Sequence, residues 1–495
     1  MTTGRIQDND SKKLKVRGAF YTPDEVVNTL IRWAVRSEKD RLLDPACGDG
    51  RFVAAHKNSV GVEQDFESAR VAMTRAPGAL IHEGEFFFWA ANTDERFDCA
   101  AGNPPFIRYQ TFNGETRREA LSLCSLMGVK FSGLTSSWAP FLVATASLLR
   151  PGGRMAFVVP AEIGHAPYAT PLIEYLVRKF RHVQVIAVRE KMFPELSEDC
   201  WLLYADGFGD STQEVILSAM TEFESMSHPP RKGTRVQVSE WRNVWGGRLR
   251  PFLLPQAARD IYSLSASEGG VRIRDVAKVG IGYVTGANDF FHLSPSEAEA
   301  RRIPDRFLLP SVRNGRMLEG ERLSPSIVDK WRRRDLPVLL LNLPKSRDLP
   351  KAVMRYLDTD AGKAARQSYK CRNRSPWYSV PDVVIPDFFL SYMSGIKPSL
   401  VENNAKCCCT NSVHAVVVKR QEFKSVLRNN WDSPLAQLSC ELEGHPLGGG
   451  LLKLEPGEAQ RVLVKSRIAP SSESQRILDE SISLMRAWRH YEQVG

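Results

Sequence analysis

Between residue 18 and about residue 208, short apolar runs alternate with helical patterns. This alternation restricts the fold more than any other feature of the chain. Residues 41–44, 59–63, 97–102, 155–160, 183–188 and 201–205 read as strands, and 24–35, 136–149 and 171–180 as helices. Strands and helices in alternation build βαβ units, so an α/β fold is expected, its sheet mostly parallel and covered on both faces. Ligands of such sheets bind at the carboxyl ends of the strands. The pattern breaks at His228-Pro229-Pro230-Arg231-Lys232-Gly233. The expected organisation is a flexible 1–17, an α/β domain at 18–230, a basic linker at 231–250 and a mixed α+β domain at 251–495. Residues 472–490 read as a closing helix with Ile477, Ile482, Met485 and Trp488 on its apolar side.

At 495 residues and 43% apolar composition, the chain can bury a large core without disulfides or structural metal. Its net charge of +10 is unevenly placed. Residues 1–210 hold 25 basic and 26 acidic side chains, and residues 211–495 hold 42 and 31. A near-neutral half joined to a basic half points the second half towards a polyanion. The nine cysteines form no CxxC pair, which argues against a zinc ribbon, and their odd number and irregular spacing argue against a disulfide framework. Cys407, Cys408 and Cys409 are adjacent, and in an extended segment their side chains alternate faces, so they read as small buried residues. No metal is expected. The first 18 residues lack the apolar run of a signal peptide, and no stretch approaches 18 apolar residues. The expectation is a cytoplasmic protein with no membrane partner.

Two elements point to an adenosine-containing ligand. In Asp44-Pro45-Ala46-Cys47-Gly48-Asp49-Gly50 a strand enters a small-residue loop and then a helix, and glycines let backbone approach a ligand closely. The spacing is not that of a dinucleotide cradle, and no GKS or GKT follows. The next strand ends in Glu63-Gln64, and an acid there can accept both ribose hydroxyls.

The sharper signal is Asn103-Pro104-Pro105-Phe106, placed directly after a strand. Neither proline can donate to a ladder, and both fix φ. The Asn103 side-chain oxygen and the Pro104 carbonyl are thereby held as adjacent acceptors, matched to an amino group with two N–H bonds. Phe106 offers a ring for a flat base to stack on.

With these motifs in this order, the sequence resembles the gamma-class, Taq-type adenine-N6 DNA methyltransferases of restriction–modification systems. The resemblance implies a Rossmann-like methyltransferase domain, S-adenosyl-L-methionine as cofactor and a C-terminal target-recognition domain that chooses the DNA site. It assigns Tyr21, Thr22 and Pro23 to the methionine end of the cofactor. Asp44, Ala46 and Gly48 fall to the glycine-rich loop, and Glu63 and Gln64 to the ribose. Glu85 and Phe86 take the place of the adenine-binding motif, with Glu where the family usually has Asp. Asn103, Pro104, Pro105 and Phe106 become the catalytic tetrapeptide, Asn103 and Pro105 also facing the cofactor. The turn at 148–154 is expected to precede the fifth main strand. Phe193, in Lys191-Met192-Phe193-Pro194, lies where the family places a second aromatic against the flipped base.

Residues 361–380 carry five basic side chains, no acids and three aromatics. Arg372, Arg374, Trp377 and Tyr378 are the expected DNA contacts there, together with Arg108 and Tyr109 after the catalytic loop. Trp331-Arg332-Arg333-Arg334 fits either phosphate contact or a helix face. Residues 280–291 resemble a recurring early segment of such recognition domains.

The chemistry also stands by itself. An exocyclic amine has its lone pair delocalised into the ring, and acceptors on both N–H groups draw the nitrogen towards tetrahedral geometry as charge develops. The target atom lies inside a duplex, so the base must be flipped out. The catalytic loop has no Pro-Cys, which argues against ring-carbon methylation. Cytosine N4 is the nearest rival target. A combined restriction–modification enzyme, a non-catalytic DNA-binding protein and a protein glutamine methyltransferase are weaker readings. Expected partners are duplex DNA and a separate cognate endonuclease, with the chain a monomer.

Overall fold

A computed structural model describes residues 22–490 except 195, 197, 347 and 448. Tyr21 and the expected flexible 1–17 lie outside the described residues. The chain divides into two compact units, 1–255 and 256–495.

The first unit is built on α1 (Asp24–Ala34), β1 (Leu42–Asp44), α2 (Arg51–Ala54), β2 (Ser59–Glu63), α3 (Phe66–Arg75), β3 (Leu80–Glu83), α4 (Phe86–Asn92) and β4 (Phe97–Gly102). It continues through α5 (Gly114–Leu126), α6 (Trp138–Ser147), β5 (Leu149–Pro160), α7 (Ala169–Lys179), β6 (Phe180–Val188), β7 (Cys200–Phe208), β8 (Glu214–Met220), β9 (Thr234–Gln237) and α8 (Val238–Asn243). The nine strands form one sheet in the order β3-β2-β1-β4-β5-β7-β6-β8-β9. Pairing is parallel from β3 to β5, and β7 then runs antiparallel to both β5 and β6. The strand order reverses between β1 and β4, so the carboxyl ends of these two strands flank a crevice.

Packing explains the helices. In α1, Val26, Val27, Leu30, Ile31 and Ala34 recur at helical spacing and bury against Leu42, Ala101, Val158 and Leu202 of the sheet. Helix α6 is buried along nearly its whole length and has no polar face. The expected turn at 148–154 is a bulge inside β5. The register with β4 shifts between Phe97 and Cys99, and the partners jump from Leu149 to Arg154.

The expected basic linker at 231–250 is instead the edge of this unit. Strand β9 pairs with β8, and Trp241 and Trp245 are almost fully buried. Arg235 pairs with Glu214 at 2.7 Å and Arg242 with Glu174 at 2.9 Å. The apolar residues Val236, Val238, Trp241 and Leu249, spaced between the charges, bind the segment to the sheet.

The second unit is mixed α+β with several small sheets. Its largest has five strands, whose spatial order is Ala277–Ile281, Val413–Val418, Phe388–Ser391, Leu400–Asn403 and Arg322–Leu323. A four-stranded sheet contains Leu339–Leu341 and Cys408–Cys409. All nine cysteines of the chain are buried. The last helix is Ser472–Ala487, with Leu478, Ile482 and Met485 inward. Beyond it, Arg489 is fully buried against the carboxylate of Glu441. No helix among the described residues is long and apolar enough to cross a membrane.

Candidate active site

Asp44 ends β1, and the chain then turns through two left-handed glycines, Gly48 at φ +54° and Gly50 at φ +85°. A Cβ on Gly50 would stand 2.8 Å from the Cα of Ala72, so this loop folds down on α3 only with glycine there. The Gly48 N–H donates to Glu63 Oε2 at 2.9 Å, and the Asp65 N–H donates to Oε1 at 2.8 Å. The carboxylate at the end of β2 is thus aimed across the loop that ends β1.

One cavity collects most of the expected cofactor residues. Thr22, Asp44, Ala46, Gly48, Glu63 and Gln64 line it, and so do Glu85, Phe86, Asn103 and Pro105. Pro23 does not. It starts α1, its carbonyl accepting from the Val26 and Val27 N–H groups. Glu85 caps α4 by accepting from the Phe88 N–H at 2.9 Å. Phe141 also lines the cavity and stacks on Phe86 at 5.1 Å between ring centroids. It lies in the uniformly apolar α6, so no local pattern could single it out.

The electrostatics of this cavity favour a cation. Asp44 is 1% exposed, and one of its carboxylate oxygens has no hydrogen-bond partner. Burial pushes its pKa up to about 8, and the neighbouring Glu63 and Asp49 add to the rise. Burial raises Glu63 as well. Asp49 is paired with Arg51 and Arg75, but Asp44 and Glu63 have no basic partner among the described residues. Two neighbouring carboxyls, one buried and one half-buried, without a counter-charge suit a ligand that brings positive charge.

The catalytic loop begins where β4 ends. Gly102 is held against Asp44, since a Cβ on it would come within 2.6 Å of Asp44 Oδ1. The Asn103 amide nitrogen donates to Thr22 Oγ1 at 3.2 Å, which turns its oxygen the other way. No hydrogen bond to that oxygen or to the Pro104 carbonyl forms among the described residues. Phe106 is half-buried.

Phe193 is placed differently from expectation. At 6% exposure it belongs to the core cluster with Val188, Met192 and Leu196, and Phe106 packs on that cluster from outside. An apolar ring flanked by Met192 and Leu196 joins the core rather than a base site. Arg108 is exposed and pairs with Glu198 at 2.6 Å, and Tyr109 is exposed beside it.

The expected DNA contacts of the second unit divide. Arg372 is exposed. Arg374 is turned inward, donating to the carbonyls of Thr285 and Ser379 and lying 5.5 Å from the Phe291 ring centroid. Tyr378 is buried and donates to the Ser346 carbonyl at 2.9 Å, and Trp377 packs against the same core. Composition marked this segment, but three of its four candidates hold the unit together. In Trp331-Arg332-Arg333-Arg334 the Trp faces inward and the arginines face solvent. The 280–291 segment also serves the core, with Tyr283, Phe290 and Phe291 buried.

A cofactor crevice with a neighbouring acceptor loop, on a sheet ordered 3-2-1-4-5-7-6, defines an S-adenosylmethionine-dependent methyltransferase. Three family models match the chain: "N-6 DNA Methylase" over residues 5–73, "Eco57I restriction-modification methylase" over 58–193, and "Type II methyltransferase M.Eco57I, C-terminal domain" over 248–494. Type II methyltransferase M.AccI of Acinetobacter calcoaceticus is 20% identical over 460 residues, 89% of this chain and 84% of that protein. Type II methyltransferase M.XamI of Xanthomonas campestris pv. amaranthicola is 23% identical over 470 residues, 91% and 85% of the two chains. Among solved structures, the type IIL restriction-modification enzyme MmeI in complex with DNA superposes with a TM-score of 0.52 at 13% identity, covering 95% of this chain and 67% of that one. The chain belongs to the adenine-N6 DNA methyltransferases of restriction–modification systems, and its cofactor is S-adenosylmethionine.

Proposed function

We propose that the chain methylates the N6 amino group of an adenine flipped out of duplex DNA, using Asn103 and Pro104 as paired acceptors. The observation that carries this reading is the open pair itself: Asn103 Oδ1 and the Pro104 carbonyl meet no donor among the described residues. Asn103 and Pro105 line the crevice, so the pair stands where the amino group of a ligand could be held. Thr22 holds the Asn103 amide so that its oxygen faces away from α1. As the amine nitrogen gains positive character, the two acceptors stabilise its N–H bonds more than in the ground state. Phe106 supplies the stacking face.

Asp44, Glu63 and the Gly48 loop would hold the cofactor, which supplies an already activated methyl group when bound. Their carboxyls, without a basic partner, can ionise beside its sulfonium and ammonium groups. DNA reaches the protein through exposed basic side chains, Arg372 and the Arg332-to-Arg334 face among them. The enzyme acts as a monomer in a bacterial or archaeal cytoplasm and protects sites from a separate cognate endonuclease.

The test is methyl transfer from labelled cofactor to duplex DNA, followed by digestion to nucleosides. N6-methyladenine as the labelled base is expected, and N4-methylcytosine would overturn the substrate assignment. Asn103→Ala should lower the rate by about 10²–10³-fold while cofactor binding persists. DNA incubated with magnesium and cofactor should remain uncut, and gel filtration should give one copy of the chain.

A further inference from the structure

Ser137 sits at the N-cap of α6, a position where a serine oxygen ordinarily accepts from the second or third N–H of its own helix. Here its side chain makes no such bond. The third helical residue is Pro140, which has no N–H to offer. The hydroxyl is turned to the catalytic loop instead. It donates to the Pro105 carbonyl and accepts from the Ile107 N–H at 2.9 Å. The Ser137 N–H donates in turn to the Ile107 carbonyl at 3.0 Å.

These three bonds bracket Phe106. The loop has left the β4 ladder, and two consecutive prolines give it no N–H with which to anchor itself. Ser137 therefore satisfies loop backbone on both sides of the stacking residue. It is fully buried, at the N-cap of a helix that is itself buried along nearly its whole length.

We infer that Ser137 is a positioning residue of the methyl-transfer site, fixing the pose of Phe106 and the direction of the Pro104 carbonyl through the backbone of residues 105–107. This rests on the function proposed above, and it adds a residue that touches neither base nor cofactor. Ser136 provides a matched comparison. Its hydroxyl is also buried, but it accepts from the Tyr168 hydroxyl at 3.2 Å and makes no bond to the loop.

The experiment measures kcat, KM for duplex DNA, cofactor Kd and melting temperature for the full-length wild type, Ser137→Ala, Ser137→Cys and Ser136→Ala. A 2-aminopurine at the target position reports base flipping through its fluorescence. Loss of the hydroxyl is expected to lower kcat by about 10–100-fold, the scale of a small misplacement at a reacting centre. Cofactor Kd should stay within about twofold, and the bound fluorescence signal should be altered because the stacking ring is no longer held. Ser137→Cys fills the space with a poor donor and acceptor and should show the same split, so it carries the test if the alanine variant does not fold. Ser136→Ala should keep the wild-type kcat. Wild-type kcat in either folded Ser137 variant overturns the inference. An equal fall in Ser136→Ala, or loss of cofactor binding in step with kcat, also overturns it. A wild type that makes no N6-methyladenine rejects the proposed function instead, so the two failures are distinct.

Discussion

Asn103-Pro104-Pro105-Phe106 and Ser375-Pro376-Trp377-Tyr378 look alike in sequence: a polar residue, proline and aromatics beside basic side chains. They end in opposite situations. The first keeps two acceptors open beside a crevice and leaves its ring half-buried. The second directs Tyr378 to the Ser346 carbonyl, packs Trp377 on the core and ties Arg374 to the Thr285 carbonyl. The first segment follows a buried strand whose end is fixed against Asp44. The second lies among short helices whose apolar partners are supplied by residues far away in sequence. A motif is informative when the strand before it sets where it points. Composition alone does not separate a binding face from an interior.

That contrast can be broken by substitution, and the widest gap should come from Asn103→Ala. The expected loss of methyl transfer of about 10²–10³-fold should come with only a small fall in melting temperature, because the one bond lost from the fold, to Thr22 Oγ1, is worth about 0.5–1.5 kcal/mol. Arg374→Ala should do the reverse. Losing charge-assisted bonds to buried carbonyls costs about 1.5–3 kcal/mol. At roughly 2–4 °C per kcal/mol the unfolding midpoint falls by several degrees. DNA affinity measured well below that midpoint should stay within about twofold. A large loss of affinity with unchanged melting would return Arg374 to the DNA-contact set.

The pH dependence of cofactor binding tests the first site from another side. Burial raises Asp44 to about 8 from an ordinary value of 3.8. Between about pH 4 and 8 the folded apo-protein therefore holds a proton that the unfolded chain has lost. The stability contributed by that proton is complete at low pH, declines as pH rises through this window and is gone above it. A cationic ligand favours the ionised carboxylate, so cofactor affinity should rise from pH 6 to 9 in calorimetric titrations. Asp44→Asn should flatten the profile, and an unchanged slope in that variant would reject the assignment.

The smallest effect belongs to Arg372→Ala. Loss of one phosphate contact should weaken DNA binding a few-fold and reduce the slope of log affinity against log salt by about 1, with no change in melting. A salt slope insensitive to every exposed arginine beyond residue 255 would separate DNA binding from the charge imbalance.

The first unit was largely legible because its strands are continuous apolar runs and its helices carry regular apolar faces. Strand β4 and the loop after it, β2 and its terminal acid, and α1 all fall where the pattern puts them. The turn at 148–154 was displaced because a bulge lets a Pro-Gly-Gly segment remain within a strand. Phe193 could not be resolved from sequence, since a ring in a Met-Phe-Pro turn serves a core as readily as a base. Ser137 was invisible for a different reason: its partners lie some 30 residues away, and its local setting reads as an ordinary helix start. Six basic residues in 231–250 mask the apolar positions between them, which are what tie the segment to the sheet. Arg374, Trp377 and Tyr378 share the basic and aromatic composition of a DNA-contacting segment, but no strand directly precedes them to fix their direction. Residues 256–495 hold 36 basic and 27 acidic side chains against 31 and 30 in residues 1–255, so the asymmetry survives the corrected boundary.

The absorption of β9 and α8 into the first unit decides where the chain could be divided between related enzymes. A chimaera joined at residue 230 would tear β9 from β8, baring a strand edge and two buried tryptophans, and would invite aggregation. A junction between Pro255 and Gln256 leaves each interior whole. The seam along which the second unit could be replaced runs not through the most basic and proline-broken stretch of the sequence, but just beyond it.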